Sequence, residues 1–154
     1  MNTRNIIAGA LAFGITSLAL GQVIGKPEDQ IRWRQSAYHT MAWNMGRSKA
    51  NIDGSYNKDQ VSQAAHAIQA IANSGMGVLF QPGTDKGKGW KETRVKGELF
   101  TDKEGVGKVA KPYMEAANEM AKVAAAGDIA AIKTQFGKLG ETCKGCHDKF
   151  RKED

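Results

Sequence analysis

The sequence predicts an all-α protein, an antiparallel four-helix bundle, and three observations carry that expectation. Nearly every long segment repeats its apolar residues with helical period, β-type alternation is almost absent, and turn residues divide the chain into four helix-sized stretches. At 154 residues with a formal charge of +6, the chain is long enough for one domain and short for two.

The first 21 residues stand apart from the bundle. Arg4 opens them, residues 6–20 are apolar or small, and Ala19-Leu20-Gly21 puts small residues where a signal peptidase reads. This is the build of a secretory signal cleaved before Gln22, which sends a mature chain of residues 22–154 to the periplasm. A membrane anchor is the competing reading. The run falls short of the ~20 strongly apolar residues of a span, and Gly9, Gly14 and Thr16 dilute it, so no membrane association is expected after cleavage. The mature chain keeps a modest positive surplus. Its basic residues alternate with acidic ones along helical stretches and form no run interleaved with aromatics, which argues against nucleic acid as a partner.

The first helix is expected over 27–45. Pro27 suits a first turn, Glu28 and Asp29 favour the helix dipole, and Ile31, Tyr38, Met41, Ala42 and Met45 form the stripe, which stops near Gly46. The second is expected over 58–79, with Val61, Ala65, Ile68, Ala72 and Met76 on one side. A polar, glycine-rich connection over 81–97 follows. Pro82-Gly83 and Gly87-Lys88-Gly89 preclude regular structure there, and so long a loop is usually functional. The third helix starts near Thr101, where Thr101-Asp102-Lys103-Glu104 has the form of a capping box, and ends near Gly127. Asp128 can cap a fourth, with Ile129, Ile132, Phe136, Leu139, Cys143 and Phe150 on its stripe.

Cys143-Lys144-Gly145-Cys146-His147 carries the chemistry. On a helix, residues three apart project to one side, so both thiols can reach the vinyl groups of one haem. The next residue then offers an imidazole nitrogen to the iron. A thioredoxin-like pair needs a strand feeding the helix, and none is legible. A zinc site wants four ligands, and His39 and His66 have no ligand-like spacing. A plain disulfide leaves His147 unexplained. Covalent haem c at Cys143 and Cys146, with His147 as axial iron ligand, is the expectation. His39 and His66 sit off the apolar stripes and read as surface residues.

With this motif near its C-terminus, the chain resembles the cytochrome c′ family. The resemblance rests on residues 126–129, 136–140 and 143–152, on Lys26-Pro27-Glu28-Asp29 and Arg34-Gln35-Ser36-Ala37, and on Phe80 to Thr84, Thr93-Arg94 and Glu98-Leu99-Phe100. Gly97 and Phe100 stand where the family usually carries proline and tryptophan. The resemblance implies that Arg34 and Gln35 lie at the haem edge, with Arg34 and, less directly, Thr93 and Arg94 near the propionates. Arg151 is expected on the face of His147, influencing the proximal pocket. Low-spin relatives have methionine four residues after the arginine, where this chain has Tyr38. A neutral tyrosine is a poor ligand for ferrous iron. A five-coordinate, high-spin iron follows, with Tyr38 and Phe80 in the distal pocket and Met41 and Met45 as alternative ligands.

Such a site binds small diatomic gases. The expected function is a periplasmic haem protein that takes nitric oxide or carbon monoxide and buffers the former; the alternative is an electron-transfer cytochrome with an acidic redox partner. An enzyme is not expected, because neither a Ser-His-Asp set nor a distal acid–base histidine is present. Family members commonly form homodimers, and Trp33, Trp43 and Ile71 supply apolar surface off the core stripe.

Overall fold

The computed structural model describes residues 24–153; the expected signal segment lies outside the described residues. The helices are α1 (Pro27–Asp53), α2 (Lys58–Ala72), α3 (Lys103–Ala126) and α4 (Ile129–Phe150), with short 3-10 turns at Met76–Leu79 and Gly97–Phe100. Among the described residues there is no β-strand, only isolated bridges joining Lys88 to Glu92 and Val95 to Arg151. No described helix is long and apolar enough to cross a membrane.

Three helix boundaries differ from expectation. α1 does not stop at Gly46 but runs two turns further, to Asp53. Its apolar stripe fades there, yet Asn51 is buried and works at both ends: its amide donates to the Arg47 carbonyl at 3.0 Å and to Gln60 Oε1 at 3.1 Å, and its carbonyl accepts from the Asn57 backbone at 3.1 Å. Those bonds tie α1 to the start of α2, so polar tertiary contacts extend a helix that hydrophobic period alone would end. α2 stops at Ala72, short of Leu79. Asn73 folds its amide back on the Gln69 carbonyl at 2.7 Å, and Gly75 takes φ +77°, a left-handed conformation that favours glycine. α3 begins one residue later than expected, because Asp102 rather than Thr101 is the cap: its carboxylate accepts from the Gly105 backbone at 2.7 Å. Asp128 caps α4 by accepting from the backbone of Ala130 at 2.9 Å and Ala131 at 3.4 Å.

The helices pack in chain order, α1 on α2, α2 on α3 and α3 on α4, whereas α1 and α4 come together only marginally. The core gathers at one end of the bundle, where Ile52, Val61, Ala65, Ile68, Ala117, Met120, Ala121, Ala124, Ile132 and Leu139 are buried together. Each large member stabilises the fold by about 1.5–3 kcal/mol on transfer from water. The alanines let the helices approach closely. At the other end the wider side chains of α1 and α4 face a cavity.

Candidate cofactor site

The cavity measures about 1700 Å³, well beyond the roughly 300–1,000 Å³ of an ordinary small-ligand pocket. Its wall is drawn from all four helices and the 81–97 connection, with Ile68 and Leu139 of the core as its floor. The ten residues singled out from the sequence, Arg34, Gln35, Tyr38, Phe80, Thr93, Arg94, Cys143, Cys146, His147 and Arg151, all lie on this one wall.

α4 supplies the reactive groups. Cys143 and Cys146 are free thiols, half-buried, and burial pushes both above the ordinary thiol value. His147 borders the cavity and also a second cleft of about 280 Å³, shared with Arg94, Lys96, Asp148, Arg151 and Lys152. Two thiols one helical turn apart and an adjacent imidazole, on the wall of a cavity wide enough for a macrocycle, form a donor set that fits haem c.

α1 supplies Arg34, Tyr38, Met41 and Met45, one or two turns apart and all on the cavity side. The 43 % exposure of Tyr38 is therefore surface turned into the cavity. Its phenol is pushed up to about 12, chiefly by burial and then by the Cys146 thiol, with Arg34 pulling the other way. Tyr38 is neutral throughout the physiological range. Met41 is buried, and its sulfur accepts the Tyr113 hydroxyl at 2.6 Å. Burial also raises the Tyr113 phenol.

Arg34 has a role that the sequence did not suggest. It is 2 % exposed, and burial holds its guanidinium below the ordinary arginine value. One nitrogen donates to Thr84 Oγ1 at 2.7 Å and to the Leu79 carbonyl at 3.2 Å, while the other reaches the Thr84 carbonyl and Thr93 Oγ1, the latter at 2.9 Å. The Phe80 ring lies 4.7 Å from the guanidinium carbon. Arg34 thus anchors the connection to α1. Gln35 does the same from the next position: its carbonyl accepts from the Trp90 backbone at 2.7 Å, and its amide donates to the Lys91 carbonyl at 2.9 Å. Gly89 is needed at this approach, because a Cβ there would stand 2.6 Å from the Arg32 backbone nitrogen.

Arg151 caps α4 directly above His147: its backbone N–H donates to the His147 carbonyl at 3.0 Å, and the two residues border both the cavity and the second cleft. α4 ends at Phe150, and Arg151 is extended because the chain pairs with the connection there: Lys96 donates to the Phe150 carbonyl at 2.9 Å and Lys152 to the Arg94 carbonyl at 2.8 Å. One placement differs from the sequence reading: His39, read as a surface residue, is exposed but borders the cavity; His66 is on the surface of α2, with Nδ1 2.8 Å from the Ser62 carbonyl. The Met41–Tyr113 contact was not anticipated. Each residue was visible as a member of a stripe, but their pairing across α1 and α3 depends on how the helices pack.

The family model described as Cytochrome C′ matches residues 29–151. The cytochrome c′ of Rhodocyclus tenuis is 61 % identical over 130 residues, covering 84 % of this chain and 98 % of that protein. A solved cytochrome c′ described as having an unusual ligand-controlled dimer dissociation is 53 % identical, with TM-score 0.81, covering 84 % of this chain and 98 % of that one. Solved structures of the Alcaligenes xylosoxidans protein, 27 % identical with TM-score 0.74, include variants bound to nitric oxide and to carbon monoxide and cover 84 % of this chain and 98 % of theirs. The chain belongs to the cytochrome c′ family, and its cofactor is haem c.

Proposed function

We propose that this chain is a periplasmic cytochrome c′ with five-coordinate, high-spin iron, whose function is to bind small diatomic gases and to buffer nitric oxide. The carrying observation is the pair of α1 side chains on the cavity wall. Tyr38 presents a neutral phenol, and the Met41 thioether is turned to the Tyr113 hydroxyl of α3. Neither is available as a strong sixth ligand. Cys143 and Cys146 would hold haem c through thioethers and His147 would ligate its iron, with Arg34, Gln35, Thr93 and Arg94 along the edge of the group and Arg151 on the proximal side. Haem c supplies a ferrous iron that binds nitric oxide and carbon monoxide. Tyr38 and Phe80 line the cavity and would crowd the open face of the group, so that a gas would have to displace a side chain rather than a metal ligand. Gas complexes of the Alcaligenes xylosoxidans relative support this reading.

Visible spectra of the ferric and ferrous holoprotein, before and after nitric oxide, test it. A high-spin spectrum that changes with the gas is expected, and Tyr38→Met should convert it to low-spin. A low-spin wild-type spectrum indifferent to the gas would sink the proposal and favour electron transfer. Electron transfer stands as the second reading because the cationic residues Lys91, Arg94 and Arg151 border the cavity.

The reading includes a homodimer through α1 and α2. Trp33 and Trp43 are 46 % and 62 % exposed on α1, an apolar surface that a second copy would cover, whereas Ile71 turns toward the cavity. Ligand-coupled dissociation, as described for the relative above, is proposed here as well. A monomer mass by light scattering at micromolar concentration removes the dimer.

A further inference from the structure

His147 lies between two spaces. It borders the large cavity and also the second cleft of about 280 Å³, whose wall is otherwise Arg94, Lys96, Asp148, Arg151, Lys152 and Glu153. An imidazole carries a nitrogen on each of two edges, so a ring that gives one to the cavity can offer the other to the cleft. Backbone pairing shapes this cleft. The Val95–Arg151 bridge lays the end of the chain across the connection, with the Lys96 N–H donating to the Phe150 carbonyl at 2.9 Å and the Lys152 N–H to the Arg94 carbonyl at 2.8 Å.

The end of a helix is ordinarily negative, because its last carbonyls lack partners. Here those acceptors are taken. The Asp148 carbonyl accepts Lys96 Nζ at 3.2 Å, the His147 carbonyl accepts the Arg151 N–H at 3.0 Å, and the Phe150 carbonyl accepts the Lys96 N–H. The Asp148 carboxylate is bound by Lys144, one turn back on α4. Arg94 has a partner of its own. That leaves Lys96, Arg151 and Lys152 with Glu153 on the wall, and among the described residues none of the three cations makes an ion pair. Lys96 keeps two ammonium hydrogens beyond the one given to Asp148, and Arg151 keeps its whole fork of donors.

We propose that this cleft binds a small oxyanion of the phosphate class, which accepts the outward N–H of His147 together with donors of Lys96, Arg151 and Lys152, and so couples anion binding to the iron. The inference rests on His147 ligating the iron of haem c, as proposed above, and not on gas chemistry. An acceptor on the far nitrogen of a ligating histidine fixes its tautomer and raises its basicity. A more basic ligand, with negative charge close behind it, favours ferric over ferrous iron. The anion therefore binds the ferric protein more tightly, and by linkage it lowers the reduction potential. The size of the space, about 280 Å³, suits an ion rather than a larger molecule, since ordinary ligand pockets run from roughly 300 to 1,000 Å³. Several separate donors also match the several oxygens of an oxyanion, which a halide lacks.

The test is calorimetric titration of inorganic phosphate into the ferrous carbon monoxide complex of the holoprotein, where the open face of the iron is filled and only the cleft is read. A low-spin protein that takes no gas has a side chain on that face, and the same titration then runs on the ferrous protein itself, so loss of the gas reading is seen separately. Saturable binding is expected, and sodium chloride at equal ionic strength should not reproduce it. Lys96→Gln with Lys152→Gln should weaken binding about tenfold. Lys133→Gln with Lys138→Gln removes the same charge from exposed positions elsewhere on α4 and should alter it less than about twofold. Lys96 also supports the Asp148 carbonyl, so Lys152→Gln alone is the second variant; it leaves that bond intact and should weaken binding about threefold. In the gas-free protein the midpoint potential should fall as phosphate rises at constant ionic strength, and stay flat in Lys96→Gln with Lys152→Gln. No saturable binding, equal losses in the two double variants, or a potential indifferent to bound phosphate would each overturn the proposal.

Discussion

At one end of the bundle Val61, Met120, Ile132 and Leu139 are almost completely buried against one another; at the other, the same four helices stand apart around about 1700 Å³. The difference lies in side-chain size and polarity. Ala65, Ala117, Ala121 and Ala124 line the closed end and allow near contact of the helix backbones. Tyr38, Met41, Phe100 and Tyr113 line the open end, where α1 and α4 barely meet. The closed end can therefore supply stability without constraining chemistry, while the open end holds reactive groups on a scaffold stabilised elsewhere.

The sharpest challenge to that division is Ile132→Ala. It should cost about 2–5 kcal/mol in denaturant unfolding of the holoprotein, with the visible spectrum unchanged. A spectral change would show that the two ends are coupled. Next is Arg34→Ala, which leaves the Leu79 and Thr84 carbonyls without their buried donor. A loss of about 1–3 kcal/mol is expected, together with faster proteolysis within 79–93 and an altered rate of gas binding. Asp128→Ala removes the cap of α4 at the closed end, costing about 0.5–2 kcal/mol with no effect on gas binding.

The smallest effect concerns pH. Asp102 is held below its ordinary value of 3.8 by the Lys149 ammonium, 2.7 Å away, and by the Gly105 backbone N–H. A carboxyl lowered in the folded state contributes stability above its ordinary value, and that contribution is lost as pH falls through the folded value. Asp102→Asn should thus be less stable than wild type at neutral pH and indistinguishable from it in strong acid. A difference that persists in acid would assign the effect to packing at Gly105 rather than to charge.

Most of the fold could be read in the chain, since four apolar stripes and the cap at Asp128 reflect local period and local hydrogen bonding. The errors arose where distant contacts overrule period. Asn51 carries α1 past its last apolar turn by bonding to Gln60 and Asn57. In the site, the spacing of Cys143, Cys146 and His147 was legible because the chemistry is local to a single helical turn. The anchoring of the connection by Arg34 and Gln35 was not, since it links residues about fifty positions apart.

The sequence by itself determined that this protein is a helical bundle bearing a haem-attachment motif near its C-terminus, because helical period and a C-x-x-C-H spacing are properties of a few consecutive turns. Only the tertiary structure decided which side chains share the cavity with that motif. The meeting of the Tyr113 hydroxyl with the Met41 sulfur, and the hold of Arg34 and Gln35 on the connection, depend on how α1, α3 and the connection pack, and no local pattern encodes those contacts.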